Sequence, residues 1–124
     1  MECSSYALRG AVTVEHDEKD EITAAVKEMF ESLLSLNALN EDELVFIHFS
    51  MTKDLRSLNA ASALRRSGHA QDVPLFCTQE ADIDGGLEKC IRVLVMVGHE
   101  PLTEKRMVYL GRAAALRPDQ VRKG

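Results

Sequence analysis

The spacing of apolar residues along this chain changes period repeatedly, and each change marks an element. Residues 6–14 alternate: Tyr6, Leu8, Val12 and Val14 fall on one face of a predicted strand, and Ala7, Arg9, Ala11 and Thr13 on the other. That second face sets an arginine among short side chains, which leaves room for a ligand beside it. From Asp17, which stands in N-cap position, the period lengthens. Ile22, Val26, Met29, Phe30, Leu33 and Leu34 recur at helical spacing, predicting one long amphipathic helix that ends near Asn37 to Asn40. Leu44 to Ser50 is apolar at nearly every position and predicts a strand buried on both faces.

A shorter helix is expected over Leu58 to Arg66, with Leu58, Ala61 and Leu64 as its ridge and Gly68 as its stop. Val73 to Cys77 reads as a short strand, Asp82 to Gly86 as a turn, and Cys90 to Val97 as a strand of unbroken β pattern. Val108 to Leu110 is a short strand, Gly111 to Leu116 a helical turn, and a polar tail follows Arg117-Pro118. The fold class is α/β of the α+β kind, a mixed sheet with one long helix, in a single domain over 1–124 with flexible termini at 1–5 and 120–124. Strands apolar on both faces need two covering layers, and one long helix supplies only one. Neighbouring copies are expected to supply the other, so a homo-oligomer is predicted.

The composition narrows the function. A net charge of −5 argues against nucleic-acid and anionic-membrane partners, so any anion site must be local. The three cysteines, Cys3, Cys77 and Cys90, have no paired spacing, which fits a reducing compartment. With neither a signal-peptide pattern nor an apolar run near the roughly 20 residues that span a bilayer, a cytoplasmic location is expected. The histidines His16, His48, His69 and His99 lack metal-ligand spacing, and Gly85-Gly86 lacks the glycines and lysine of a phosphate loop. No metal is expected.

What remains is a scatter of arginines and one carboxylate. Ile91, Val93, Val95 and Val97 form a face suited to packing on the helix, so Arg92 points the other way with Cys90, Leu94 and Met96. An unpaired buried guanidinium costs on the order of several kcal/mol, so Arg92 needs either a carboxylate of this chain or a bound anion. Both readings stand at this point. Arg9 alone reads as a solvent-facing strand residue, Arg65 as a cation favoured in a helix's last turn, and Arg117 as a tail residue. Glu80 follows a strand end, where functional side chains often sit, although a solvated carboxylate is the commoner case. Cys77 reads as a small buried hydrophobe and Tyr109 as a core-edge aromatic. Such a set lacks acid-base and nucleophile machinery and suits a reaction that needs only positioning and electrostatic help.

Taken together, Leu8-Arg9-Gly10-Ala11, Thr13-Val14-Glu15, Val73-Pro74 to Cys77, Gln79-Glu80, Gly85-Gly86-Leu87, Lys89 to Val93, Val108-Tyr109-Leu110 and Leu116 to Asp119 closely resemble the monofunctional AroH class of chorismate mutases. The resemblance runs in order from Leu8 to Asp119. It implies a homotrimeric pseudo-α/β barrel with active sites in clefts between subunits. It also implies the cofactor-free, metal-free Claisen rearrangement of chorismate to prephenate in phenylalanine and tyrosine biosynthesis.

By this resemblance Arg9 holds a substrate carboxylate, and Arg92, the main catalyst, lies beside a carboxylate and the ether oxygen. Glu80 accepts the ring hydroxyl's hydrogen bond near Cys77, Tyr109 meets a carboxylate, Leu116 forms an apolar wall, and Arg65 and Arg117 frame the entrance. The chain departs from the family at Asn59 to Ser62, where Phe-Pro-Ala and a polar residue are common, and Phe76 replaces a smaller residue. A non-catalytic sensor on the same scaffold is the competing reading, supported only by Asn59 and Ser62. The similarly shaped trimeric imine deaminases are a third that the motifs do not suggest.

Overall fold

The computed structural model describes residues 4–115, so Cys3, Leu116, Arg117 and the C-terminal tail lie outside the described residues. Five strands, β1 (Tyr6–Thr13), β2 (Leu44–Met51), β3 (Leu75–Gln79), β4 (Cys90–Val97) and β5 (Val108–Leu110), form one sheet in the order β3-β2-β4-β1-β5. The central β4 runs antiparallel to β1 and β2, while the outer strands β3 and β5 run parallel to β2 and β1. Two helices, α1 (Lys19–Leu36) and α2 (Ala60–Arg66), complete the mixed α+β fold. α2 lies on the crossover that a parallel β2/β3 pair requires.

One face of the sheet carries the core. Ile22, Val26, Met29, Phe30 and Leu33 of α1 are buried, and they pack with Leu8, Ile47, Phe49, Ile91, Val93, Val95 and Val97 from alternate sheet positions. Each large aliphatic or aromatic side chain fully buried in this way contributes about 1.5–3 kcal/mol. Gly10 breaks the run of side chains on β1 where α1 comes closest: a Cβ there would lie 3.1 Å from the Val108 carbonyl oxygen, 3.2 Å from Val93 and 3.4 Å from Met29. The missing side chain lets helix and sheet close on each other.

Asp17 does not cap α1, contrary to the sequence expectation. The N-cap is Glu18, without a side-chain cap, and the Asp17 carboxylate instead accepts from the backbone N–H groups of Arg56 and Ser57 at 3.0 Å and from the Ser57 hydroxyl at 2.8 Å. It thereby fastens the β2–α2 loop to the start of α1. The turn before α1 is closed by Glu21, which accepts from the backbone N–H groups of Glu15 and His16. α2 starts at Ala60 rather than Leu58 because Asn59 caps it, accepting from Ala61 N and Ser62 N. β3 is displaced two residues from the expected Val73 to Cys77: the Pro74 carbonyl accepts from Ile47 N, and pairing runs from Leu75 to Gln79.

The other face is open in the single chain. β2 was expected to be buried on both faces, yet only Leu44, Ile47, Phe49 and Met51 are buried, while Phe46, His48 and Ser50 are half-buried. Toward the β5 edge, the turn at Gly111–Ala115 covers a small second cluster of Ala11, Cys90, Tyr109 and Ala113 on this face.

The phase of β4 is set at its first residue. Lys89 has a positive φ of 49°, and its N–H is held by both carboxylate oxygens of Asp54, at 3.1 and 2.9 Å. Next to it, Thr52 Oγ1 accepts from Cys90 N at 3.0 Å while Thr52 N donates to the Cys90 carbonyl at 3.0 Å.

Behind α2, His69 bridges Glu31 of α1 (2.7 Å) and Glu41 (2.8 Å) through opposite ring nitrogens. Burial disfavours the imidazolium, but hydrogen bonds and charge from Glu31 and Glu41 outweigh it and raise the His69 pKa above its ordinary value. A pKa raised on folding stabilises the protein fully below the unfolded value, and that contribution is lost as pH rises through the folded value. The stability difference between wild type and His69→Gln is therefore expected to be greatest near pH 5–6, below the free-imidazole pKa of about 6.5, and to shrink toward pH 9. Urea midpoints across this range test it; a constant or widening gap contradicts it.

Candidate active site

Strand register brings the candidate residues onto the open face in rows. Ser50, Arg92 and Ala11 are direct partners across β2, β4 and β1, with Thr78 beyond Ser50 and Tyr109 beyond Ala11. The adjacent row is Phe76, His48, Leu94 and Arg9. Arg9 is thus the diagonal neighbour of Arg92, roughly 7–8 Å away between Cα atoms, and both project from the face without the helices. This matches the face assignment from alternation in both strands.

Arg92 has the carboxylate partner within the chain that one of its two sequence readings called for. Its Nε donates to Glu80 Oε1 at 2.7 Å, with the arginine side chain 38% and the glutamate 23% exposed. Its terminal nitrogens have no hydrogen-bond partner among the described residues. The guanidinium is therefore anchored by one edge, with its tip unpaired among the described residues. Glu80 reaches this place because its backbone N–H donates to the Met51 carbonyl at 2.8 Å, extending the β2/β3 pairing one residue beyond β3. Its Oε1 also accepts from the Ser50 hydroxyl at 3.3 Å. Ser50 was missed by sequence reasoning, since only the register of β2 with β4 reveals it.

A cleft of about 470 Å³ opens in front of this pair, walled by Thr52 to Asp54 on one side and Glu80 to Glu88 on the other. Its volume suits a small-molecule ligand. Lys53 Nζ and Asp82 bridge the two walls at 2.8 Å on the exposed rim.

The remaining candidates divide. Arg9 is exposed, and its side chain has no polar partner among the described residues. Tyr109 is 5% exposed within the cluster beneath Gly111–Ala115. Cys77 pairs with Phe49 and faces the helices, so it does not meet Glu80 within one chain. It lines a separate groove with Asn59 and Leu58, where burial raises its thiol pKa against the lowering effect of the Ala60 and Ala61 N–H groups. Arg65, in the last turn of α2, donates to the Val73 carbonyl at 3.1 Å. One chain thus presents two sets: Arg9, Glu80, Arg92 and Tyr109 on the open face, and Arg65 and Cys77 beside α2. No group of residues suited to holding a metal ion occurs among the described residues.

Residues 5–120 match the family model for chorismate mutase type I. The chain belongs to the chorismate mutase type I family. Chorismate mutase AroH of Bacillus subtilis (strain 168) is 40% identical over 113 residues, covering 90% of this chain and 89% of that protein. Chorismate mutase AroH of Thermus thermophilus is 38% identical over 114 residues, covering 90% and 93%. The solved chorismate mutase from Clostridium thermocellum superimposes with a TM-score of 0.83 at 37% identity, covering 89% of this chain and 98% of that one.

Proposed function

We propose that this chorismate mutase family member converts chorismate to prephenate, serving phenylalanine and tyrosine synthesis in the cytoplasm, at sites formed between the subunits of a homotrimer. The observation that carries the reading is the Arg92–Glu80 pair at a cleft that both residues line, with the terminal nitrogens of Arg92 unpaired among the described residues. In the proposed site Arg92 faces a carboxylate and the breaking ether oxygen. Negative charge grows on that oxygen along the rearrangement, so a fixed cation stabilises the transition state more than the ground state. Glu80 accepts the ring hydroxyl's hydrogen bond, Arg9 holds a carboxylate, and Tyr109 lies beside one. Holding the ether in its compact conformer supplies an entropic contribution without any proton transfer.

The division of candidates between two surfaces supports a shared site, with Cys77 and Arg65 of one copy completing the Arg9–Arg92 face of the next. Leu116 and Arg117 are assigned to the same cleft, as apolar wall and entrance. A trimer also accounts for the uncovered layer, because Phe76 on the open face is 64% exposed in the single chain. No helix among the described residues is long and apolar enough to cross a membrane, which fits the cytoplasmic assignment.

Incubating purified protein with chorismate and following its loss together with prephenate formation tests the activity, and light scattering tests the trimer. Lack of turnover at high enzyme concentration would overturn the first claim. A monomeric, active protein would overturn the second.

A further inference from the structure

We propose that Ser50 is a positioning residue for this reaction: its hydroxyl holds the Glu80 carboxylate so that Glu80 takes only the Nε edge of Arg92, leaving the tip for substrate. The inference rests on the functional reading above and deepens it. Arginine and carboxylate groups in contact often form two parallel hydrogen bonds, which here would occupy one of the terminal nitrogens as well. Instead Arg92 makes one hydrogen bond to Glu80, through Nε to Oε1 at 2.7 Å. The same Oε1 accepts from Ser50 Oγ at 3.3 Å.

Glutamate and arginine are both long side chains with considerable rotamer freedom, so neither is a rigid anchor for the other. Ser50 is the short member of the group. It lies on β2 directly opposite Arg92 of β4, between that strand and β3, and its oxygen is only two bonds from a backbone held in the sheet. The backbone hydrogen bond from Glu80 to Met51 brings the glutamate's Cα to the same level. With the backbone tied at Met51 and Oε1 hydrogen-bonded to Ser50, the carboxylate is biased toward the Nε edge and away from the arginine tip. Oε2 keeps no hydrogen-bond partner among the described residues, and is free to accept a substrate hydroxyl.

The test is steady-state kinetics on Ser50→Ala and Ser50→Thr. Removing the hydroxyl is expected to lower kcat about tenfold with KM within about twofold, because the fault lies in the aim of a charge used in the transition state. Threonine keeps the hydroxyl and suits a strand, so it is expected to restore most of the loss. In a Glu80→Gln background the further change Ser50→Ala is expected to have little added effect, as for residues acting through one another.

Wild-type kcat in the alanine variant, equal impairment by threonine, or a full tenfold effect in the Glu80→Gln background would each overturn the role. Should the alanine variant fail to fold, Ser50→Cys, similar in volume and a weaker donor, replaces it with the same expected direction. Inactivity of the wild type toward chorismate would count against the functional reading itself, whereas an active wild type with an unaffected alanine variant counts only against Ser50.

Discussion

Arg92→Ala is expected to lower kcat by about two to three orders of magnitude, with a smaller change in KM. That is the scale of removing one preorganised donor from a developing oxyanion, about 3–4 kcal/mol. The size depends on preorganisation. Arg92 rises from the central strand of the sheet, its neighbours Ile91 and Val93 are buried against the helical layer, and its Nε is tied to Glu80. Little reorganisation is left for the moment of reaction. Citrulline at the same position separates charge from shape, because it retains much of the hydrogen-bonding outline. If the citrulline protein turned over chorismate at the wild-type rate, charge would not be the catalytic principle, even with the alanine variant inactive. Thermal melting of each variant guards against a folding explanation, since the side chain is part-exposed.

Arg9→Ala is expected to raise KM about 10- to 100-fold, the range for a lost hydrogen bond to a charged group, and to leave kcat within a fewfold of wild type. The difference from Arg92 follows from timing. A substrate carboxylate is charged in the ground state and in the transition state alike, so the arginine that holds it contributes uniform binding. Arg9 is exposed on the open face with no side-chain polar partner among the described residues, so its removal should leave the melting temperature unchanged. Equal losses in kcat and KM at the two arginines would contradict this division of labour.

The sequence made Arg92 and Arg9 legible as members of one face because alternation in a strand is a local property. Both strands lie across the middle of the sheet, where nothing breaks the period. Glu80 was found by its position after a strand and by family resemblance, but its pairing with Arg92 was not readable. That pairing depends on how β3 registers against β2 and β2 against β4, which relates residues far apart in the chain. Ser50 was invisible for the same reason.

The long helix was legible, but its start was not. Asp17 has the side chain of a helix cap, and a loop 40 residues away offers it three donors instead of one. At Asn59 the resemblance points to a departure from the family's aromatic, while the local signal, an asparagine before Ala60-Ala61-Ser62, is that of a helix cap, the use made of it here.

The Asp54 clamp on Lys89 bears on which lengths of chain this enzyme can tolerate. Side chains in a strand alternate strictly, so one residue inserted or deleted between Lys89 and Arg92 would turn the arginine into the apolar layer and its valine neighbours out of it. The stretch from Ala81 to Gly86 just before it lies outside any strand, so a change of length there leaves the facing of Arg92 intact and reshapes the wall of the cleft instead. Two segments a few residues apart thus answer differently to a change of length, one by reshaping a cleft wall and the other by inverting a strand, and the boundary between them is a single left-handed lysine.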